Sequence, residues 1–323
     1  MTLLSKISVI IPIFNRPNIL KKTIRVLVTS TISNEILICD GGSNSITKVK
    51  IKKIISEFNF HQIRYLDIGV NSHSKKRNVG IKKAKSKYII FLDDDCIPEK
   101  KFLENYYFLF EKFKNKKYVL CGSVIYPNPY KNKFVTFRQS RHFVQKNIND
   151  IKFFLSAKNI TTMNMGFKKN LIYSKKILFN ENFNKYGFED YEFGFRLVKN
   201  KIKILGCSPK ILHIDNRSLK QYLNKIKFVG LEGGKFLTKI NKEASLDNNF
   251  IKIQNNYLIN KFYRFKVFLK ILIFLEKIFL KFESKIQFPN IFYRFIIVNS
   301  YLVGYMISKD EKISDDLLFG WYK

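Results

Sequence analysis

An apolar run from Ile7 to Ile13 stands near the start of the chain, followed by Asn15-Arg16-Pro17 and then by Leu20, Ile24, Leu27 and Val28 at helical spacing. A run of this kind predicts a strand covered on both faces, and Pro17 suits a first helical turn. Glu35–Cys39 predicts a second strand, stopped by Asp40-Gly41-Gly42-Ser43, and Ile51, Ile54 and Ile55 mark a second helix. Ile63–Ile68 reads as a third strand, Ser74–Lys85 as a third helix, and Tyr88–Leu92 as a fourth strand running into Asp93-Asp94-Asp95. Strand alternating with helix predicts an α/β fold with a parallel sheet and covering helices.

From about Tyr118 the pattern changes. Short strand-like runs (Tyr118–Tyr126, Ile202–Leu205) mix with loops and a helix near Asp190–Asn200, and the last hundred residues are helical and aromatic. The change of pattern predicts three stretches, 1–120, 121–225 and a helical extension 226–323. No low-complexity linker or internal repeat separates them.

Composition changes this picture little. Lys and Arg total 59 against 25 Asp and Glu, a net charge of +34. Such a balance suits nucleic acid, an anionic membrane face or an acidic substrate. The lysines are spread along the whole length, however, whereas a nucleic-acid patch localises on one face, so no nucleic-acid partner is expected. Cys39, Cys96, Cys121 and Cys207 form no C-x-x-C pair, which argues against a zinc knuckle or a disulfide framework and for a reducing compartment. The run at Ile7 contains Pro12 and lacks a small-residue cleavage site after it, so a buried strand is expected there and not a secretory signal.

The carboxylates carry the chemistry. In an open parallel sheet ligands bind beyond the carboxyl ends of the strands, and Asp40 and Asp93-Asp94-Asp95 fall at two such ends. Adjacent carboxylates repel, and a divalent cation bridged to a diphosphate relieves that repulsion, since hard oxygen ligands suit Mg²⁺ or Mn²⁺.

Four segments, ISVIIPIFNR (7–16), EILICDGGS (35–43), KKRNVGI (75–81) and YIIFLDDDCIP (88–98), resemble the nucleotide-binding half of family-2 inverting glycosyltransferases, whose fold is called GT-A. The resemblance covers roughly the first 120 residues. It implies that Pro12, Phe14 and Asp40 hold the nucleobase, usually uracil, that Asn15 lines the nucleotide-sugar site beside them, that Arg77 contacts the nucleotide, and that Asp93 and Asp94 approach the ribose and phosphates. Asp95 is implied to hold the metal. Gly41 departs from the pattern, since many members carry a second aspartate there.

Further along, FNENFNKYGFEDYEFGFRL (179–197) resembles the family's acceptor-domain motif, and TTMNMGF (161–167) the short strand before it, as in transferases that build chondroitin-like polymers or add galactose. The resemblance makes Asp190 the candidate general base and Glu189 the acceptor-binding residue. Both would sit at a helix N-terminus, where the dipole favours the ionised form. Glu192 and Arg196, spaced i, i+4, are expected to pair on the helix surface. Relatives with the Glu-Asp motif carry a metal-binding histidine about as far downstream as His213, which makes it the expected second ligand beside Asp95. His61, His73 and His142 have no such context.

In Phe265–Phe282, Lys266, Lys270, Lys277 and Lys281 fall within an arc of roughly 60° on an otherwise apolar helix. That pattern suits a helix lying at a membrane surface, or one packed on the core; central lysines argue against a spanning helix. Ile291–Ile307 reads as a docked helix.

The expectation is thus a metal-dependent transferase moving a sugar, from a UDP-sugar by resemblance, to a glycan hydroxyl in cell-surface polysaccharide or lipopolysaccharide synthesis. Its acceptor would be lipid-linked, and the protein cytoplasmic and peripheral at the inner membrane face. A polyprenyl-phosphate sugar transferase shares the first half, but a phosphate acceptor needs no base such as Asp190. A basic nucleic-acid-binding protein is the alternative of a different class.

Overall fold

The computed structural model describes residues 5–128, 132–154, 156–183, 186–257, 261, 266–283, 285–286 and 288–308. The chain divides into two compact units. The first comprises Met1–Pro127, Gln139–Glu181 and Phe193–Asp215, and the second Asn128–Arg138, Asn182–Glu192 and Asn216–Lys323. These limits cross those read from the sequence at 120 and 225.

The first unit is built on one sheet. Its opening strands β1 (Ile7–Ile13), β2 (Asn34–Asp40), β3 (Ile63–Asp67) and β4 (Tyr88–Leu92) alternate with helices α1 (Leu20–Val28), α2 (Ser45–Ser56) and α3 (His73–Lys83), as expected. They pair in parallel in the order β3-β2-β1-β4. Every residue of β1, β2 and β4 is buried, the physical reason these runs are largely apolar; the polar exceptions, Ser8, Asn34, Glu35 and Asp40, are hydrogen-bonded. The turns after these strands therefore open on one edge of the sheet.

The rest of the sheet is mixed, with β5 (Cys96–Pro98), β6 (Tyr118–Ile125), β7 (Lys152–Phe154), β8 (Asn164–Lys168) and β9 (Lys203–His213). β8 runs antiparallel to both β4 and β6, and β6 lies parallel to β9. The strand expected to stop at Leu205 continues to His213. Its register against β6 slips between Gly122 and Ser123, where Ser208 and Pro209 are passed over. A bulge is the one interior place a strand tolerates proline. Asn164 secures that bulge: wholly buried, its amide donates to the carbonyls of Ser123 and Pro209 (both 3.0 Å), and it accepts from the Tyr106 hydroxyl at 2.7 Å. A Cβ at Gly122 would collide with that amide.

The second unit is helical. Phe134, Phe137, Leu219, Leu223, Phe279, Tyr293, Ile296 and Ile297 form one of its cores. Helix Leu219–Phe228 starts on a capping box of Ser218 and Gln221. Gly230 and Gly304 allow close approach, for a Cβ on either would strike backbone, of Tyr301 and of Lys227 respectively. Helix Asn290–Ile307 is docked, as expected, with Tyr293, Ile296, Tyr301 and Val303 among its buried residues. Helix Lys266–Phe282 buries Leu272, Glu276 and Phe279, and Glu276 is paired with Lys227 and accepts from the Ser300 hydroxyl at 2.7 Å. Its outward face is treated below; Phe265 and the Lys266 side chain fall outside the described residues. No described helix is long and apolar enough to cross a membrane.

Candidate active site

The turns at the carboxyl ends of β1, β2 and β4 lie together. After β1, Asn15 adopts a left-handed conformation (φ 52°), tolerable for Asn. Its N–H donates to Ser43 Oγ at 2.8 Å, and its Oδ1 accepts from the Asn44 N–H at 3.0 Å, which ties this turn to the one after β2. Pro12 is buried in the strand, Phe14 half-buried and Asn15 exposed beside it.

Asp40, read from the resemblance as a base-holding residue, is buried completely. It accepts from the N–H and hydroxyl of Ser43 (2.9 and 2.7 Å) and from the Tyr65 hydroxyl at 2.6 Å. In this arrangement its carboxylate organises the turn through Ser43 and Tyr65. Gly41 also gains a physical explanation: a Cβ there would lie 3.0 Å from Asn71 Cα and 3.1 Å from the Lys76 side chain. Lys76 is buried, donates to Asn71 Oδ1 at 3.0 Å, and is lowered to about 8 by burial, against the pull of Asp94.

The acidic turn after β4 is compensated residue by residue. Arg77, on α3 and buried, donates to Asp93 at 3.1 Å, with its guanidinium over the rings of Phe91 and Phe179. Arg16, from the β1 turn, forks onto two carboxylates, Nη2 to Asp94 Oδ1 at 2.5 Å and Nη1 to Asp95 Oδ2 at 3.0 Å. Burial raises Asp94 above the ordinary carboxylate range, with Arg16 opposing and Asp95 and Asp93 adding to the rise. Asp95 goes the other way: burial disfavours its charge, but His213 and Arg16 outweigh it and hold the carboxyl well below the usual range.

His213 ends β9 opposite Cys96 of β5, so the bulged strand is what delivers it to the acidic turn. Its Nε2 lies 3.4 Å from Asp95 Oδ1, and its Nδ1 lies 3.2 Å from the Tyr126 hydroxyl, which is in turn 3.2 Å from His142 Nε2. Asp95, Cys96 and His213 thus present ligand atoms within 4.8 Å of one another. Burial and the neighbouring carboxylates push the Cys96 thiol well above its ordinary value, so it stays protonated and donates to Asp95 Oδ1 at 3.6 Å. The effective donor pair is one carboxylate oxygen and one imidazole nitrogen. Adjacent ligands each about 2.1 Å from an octahedral cation stand about 3 Å apart, close to the spacing seen. A second partner fixing the far nitrogen is the usual support of a ligating histidine. These residues fit a small divalent cation.

Tyr126 and His142 were not found by sequence reasoning; the structure joins His142 to His213 through the Tyr126 hydroxyl. Nothing in the sequence marks them, because 87 residues separate Tyr126 from His213. Lys76 and Arg16 were likewise not assigned.

Glu189 and Asp190 belong to the second unit and open helix Glu189–Lys199. The turn before it has two positive φ values, Gly187 at 124° and Phe188 at 67°. Glu189 is buried and accepts from the Gly187 N–H at 2.9 Å; Asp190 beside it is half-buried. Glu192 is not the surface residue expected. It is 2 % exposed and accepts from the Asn241 amide at 3.2 Å, because the first turn of this helix lies inside the second unit. Arg196 donates to the Leu178 carbonyl at 2.7 Å.

The chain resembles known proteins along most of its length. Residues 8–177 match the model of glycosyl transferase family 2. It is 29 % identical over 225 residues to a chondroitin synthase of Escherichia coli, covering 60 % of this chain and 32 % of that protein. It is 26 % identical over 268 residues to the chondroitin synthase of Pasteurella multocida, covering 73 % and 27 %. The chain thus spans about a third or less of these relatives' length. Among solved structures, S. aureus TarS 1-349 superimposes with a TM-score of 0.51 at 16 % identity, covering 94 % of this chain and 91 % of that one. The same protein in complex with UDP-GlcNAc gives a TM-score of 0.52, covering 94 % and 92 %. These two establish likeness of fold.

Proposed function

The chain belongs to glycosyl transferase family 2, and from that membership we propose that it moves a sugar from a UDP-sugar onto a hydroxyl of a glycan acceptor, with inversion and with a divalent cation. The observation that carries this reading is the compensated acidic turn, where Asp93, Asp94 and Asp95 meet Arg77, Arg16 and His213 beyond the ends of parallel strands. UDP as carrier is supported by the UDP-GlcNAc held by a protein of the same fold.

In this reading Asp95 and His213 hold Mn²⁺ or Mg²⁺; the imidazole nitrogen favours Mn²⁺ of the two. When bound, the cation supplies Lewis-acid stabilisation of charge on the departing diphosphate. Arg77 steers Asp93 toward the ribose, and the end of β1 carrying Pro12, Phe14 and Asn15, with the β2 turn at Asp40, forms the nucleobase wall. Asp190 takes the proton of the attacking hydroxyl as that oxygen bonds to the anomeric carbon. The carbon–oxygen bond to the diphosphate breaks in the same displacement, and the diphosphate leaves with the electron pair. Glu189 orients the acceptor. One displacement turns an α-linked donor into a β-linked product.

The acceptor in this reading is a growing polysaccharide, in line with the chondroitin synthases among its relatives; it is a cell-surface glycan, lipid-linked and met at the inner membrane face. A donor screen tests the proposal: transfer from UDP-sugars and other nucleotide sugars to oligosaccharides, with and without Mn²⁺. Asp190→Asn is expected to lower kcat by about 10²–10⁴-fold with unchanged circular dichroism. An unchanged rate would remove Asp190 as the base. Full activity of Asp95→Ala in chelator would remove the metal.

A further inference from the structure

We propose that Arg16 is a diphosphate-binding residue which, before the nucleotide arrives, neutralises the metal ligand Asp95 and competes with the cation for it. The inference rests on the reading of Asp95 and His213 as ligands given above.

Arg16 divides its guanidinium between two carboxylates of different accessibility. Asp94 is 3 % exposed and Asp95 14 %, while Arg16 itself is 57 % exposed. The bond to Asp94 is thus an anchor inside the protein, and the bond to Asp95 is the one facing the site. Asp95 is divided too, Oδ1 toward His213 and Oδ2 toward Arg16. A cation drawing on Asp95 meets a fixed positive charge on the same carboxylate, and the two repel. Turning Nη1 away from Asp95 requires no movement of the core, since the stem lies on an exposed turn and Nη2 stays on Asp94. The released N–H donors then face the side on which the diphosphate must sit if it is to share the cation with Asp95. Arginine suits both tasks, because its planar fork matches carboxylate and phosphate alike. Asn15, the residue before Arg16, is held in place by its hydrogen bonds with Ser43 and Asn44, so the guanidinium is aimed by the nucleobase turn itself.

The test rests on opposite signs. Mn²⁺ alone is titrated by electron paramagnetic resonance, and UDP is then titrated calorimetrically at saturating Mn²⁺. Arg16→Gln is expected to bind Mn²⁺ about tenfold more tightly than wild type and UDP about tenfold more weakly. Arg16→Met keeps most of the stem but carries neither charge nor donors, and is expected to tighten Mn²⁺ as well, which carries the test should Arg16→Gln fail to fold. A merely structural clamp would weaken both ligands together. Mn²⁺ affinity equal to or below wild type in both variants overturns the inference and leaves the transferase reading standing. No Mn²⁺ binding by the wild type overturns it together with the metal assignment.

Discussion

Replacing Lys270, Lys277 and Lys281 by glutamine should detach the protein from anionic membranes while leaving its fold and soluble-acceptor activity intact. Helix Lys266–Phe282 turns Leu272, Glu276 and Phe279 inward, so one of its faces is packed. The face turned outward is not polar throughout. Val267, Ile271, Phe274, Leu275, Ile278 and Phe282 are 38–68 % exposed. At about 100° per residue they fill roughly 100° of arc, and the three exposed lysines lie together along one border of it. Completing the burial of side chains already about half covered is worth about 1 kcal/mol each, about 6 kcal/mol in all. Loss of translational and rotational freedom costs about 4–15 kcal/mol, so apolar contact alone leaves binding marginal. Each lysine near an anionic leaflet adds about 1 kcal/mol, and three decide the outcome, about 100-fold in affinity. Cosedimentation with vesicles containing phosphatidylserine, against phosphatidylcholine alone, measures this. Equal binding of the triple variant and wild type to the anionic vesicles would refute the reasoning.

Two further outcomes follow from the site. Tyr126→Phe removes the hydroxyl that meets His213 Nδ1 and should weaken Mn²⁺ binding by about 10–100-fold, with kcat recovering at saturating Mn²⁺; an unchanged Mn²⁺ affinity would deny Tyr126 its positioning role. Lys76 titrates at about 8 in the folded protein against 10.5 ordinarily, so between those values the unfolded chain binds more protons and stability rises with pH. The penalty on the buried charge is present in full below pH 8 and relieved above it, on the order of 3 kcal/mol at most; urea denaturation of Lys76→Met should lack this rise, and a parallel pH profile would count against the buried ammonium.

Strands β1, β2 and β4 were legible because they are buried on both faces, which leaves short apolar runs bounded by turn residues, and because acidic residues at strand ends stand out against so basic a chain. What stayed hidden depends on contacts across long separations. The strand carrying His213 contains Pro209, which in sequence marks an end; only Asn164, drawing together Ser123 and Pro209, makes it a bulge through which the strand continues. Lys76 sits in the run Lys75-Lys76-Arg77 and reads as solvated, yet the missing side chain at Gly41 leaves the room that its stem fills. Glu192 looks like a surface partner for Arg196 because helical spacing is blind to what covers the helix. Asp40 looks free at a strand end, and its hydrogen bonds to Ser43 and Tyr65 commit it to the turn.

Charge balance joins these features. Asp93, Asp94 and Asp95 are adjacent, and such a cluster folds only if something offsets its repulsion. The chain brings up Arg77, Arg16 and Lys76, two from α3 and one from the β1 turn. With those three charges the turn is already close to neutral, so a divalent cation entering alone creates an excess of positive charge beside buried groups. A diphosphate entering with it removes that excess. Cation and nucleotide are therefore expected to strengthen one another's binding, by the same factor in each direction. Lys76 and Arg77 are buried and cannot yield; Arg16, on the exposed turn, is where the adjustment falls.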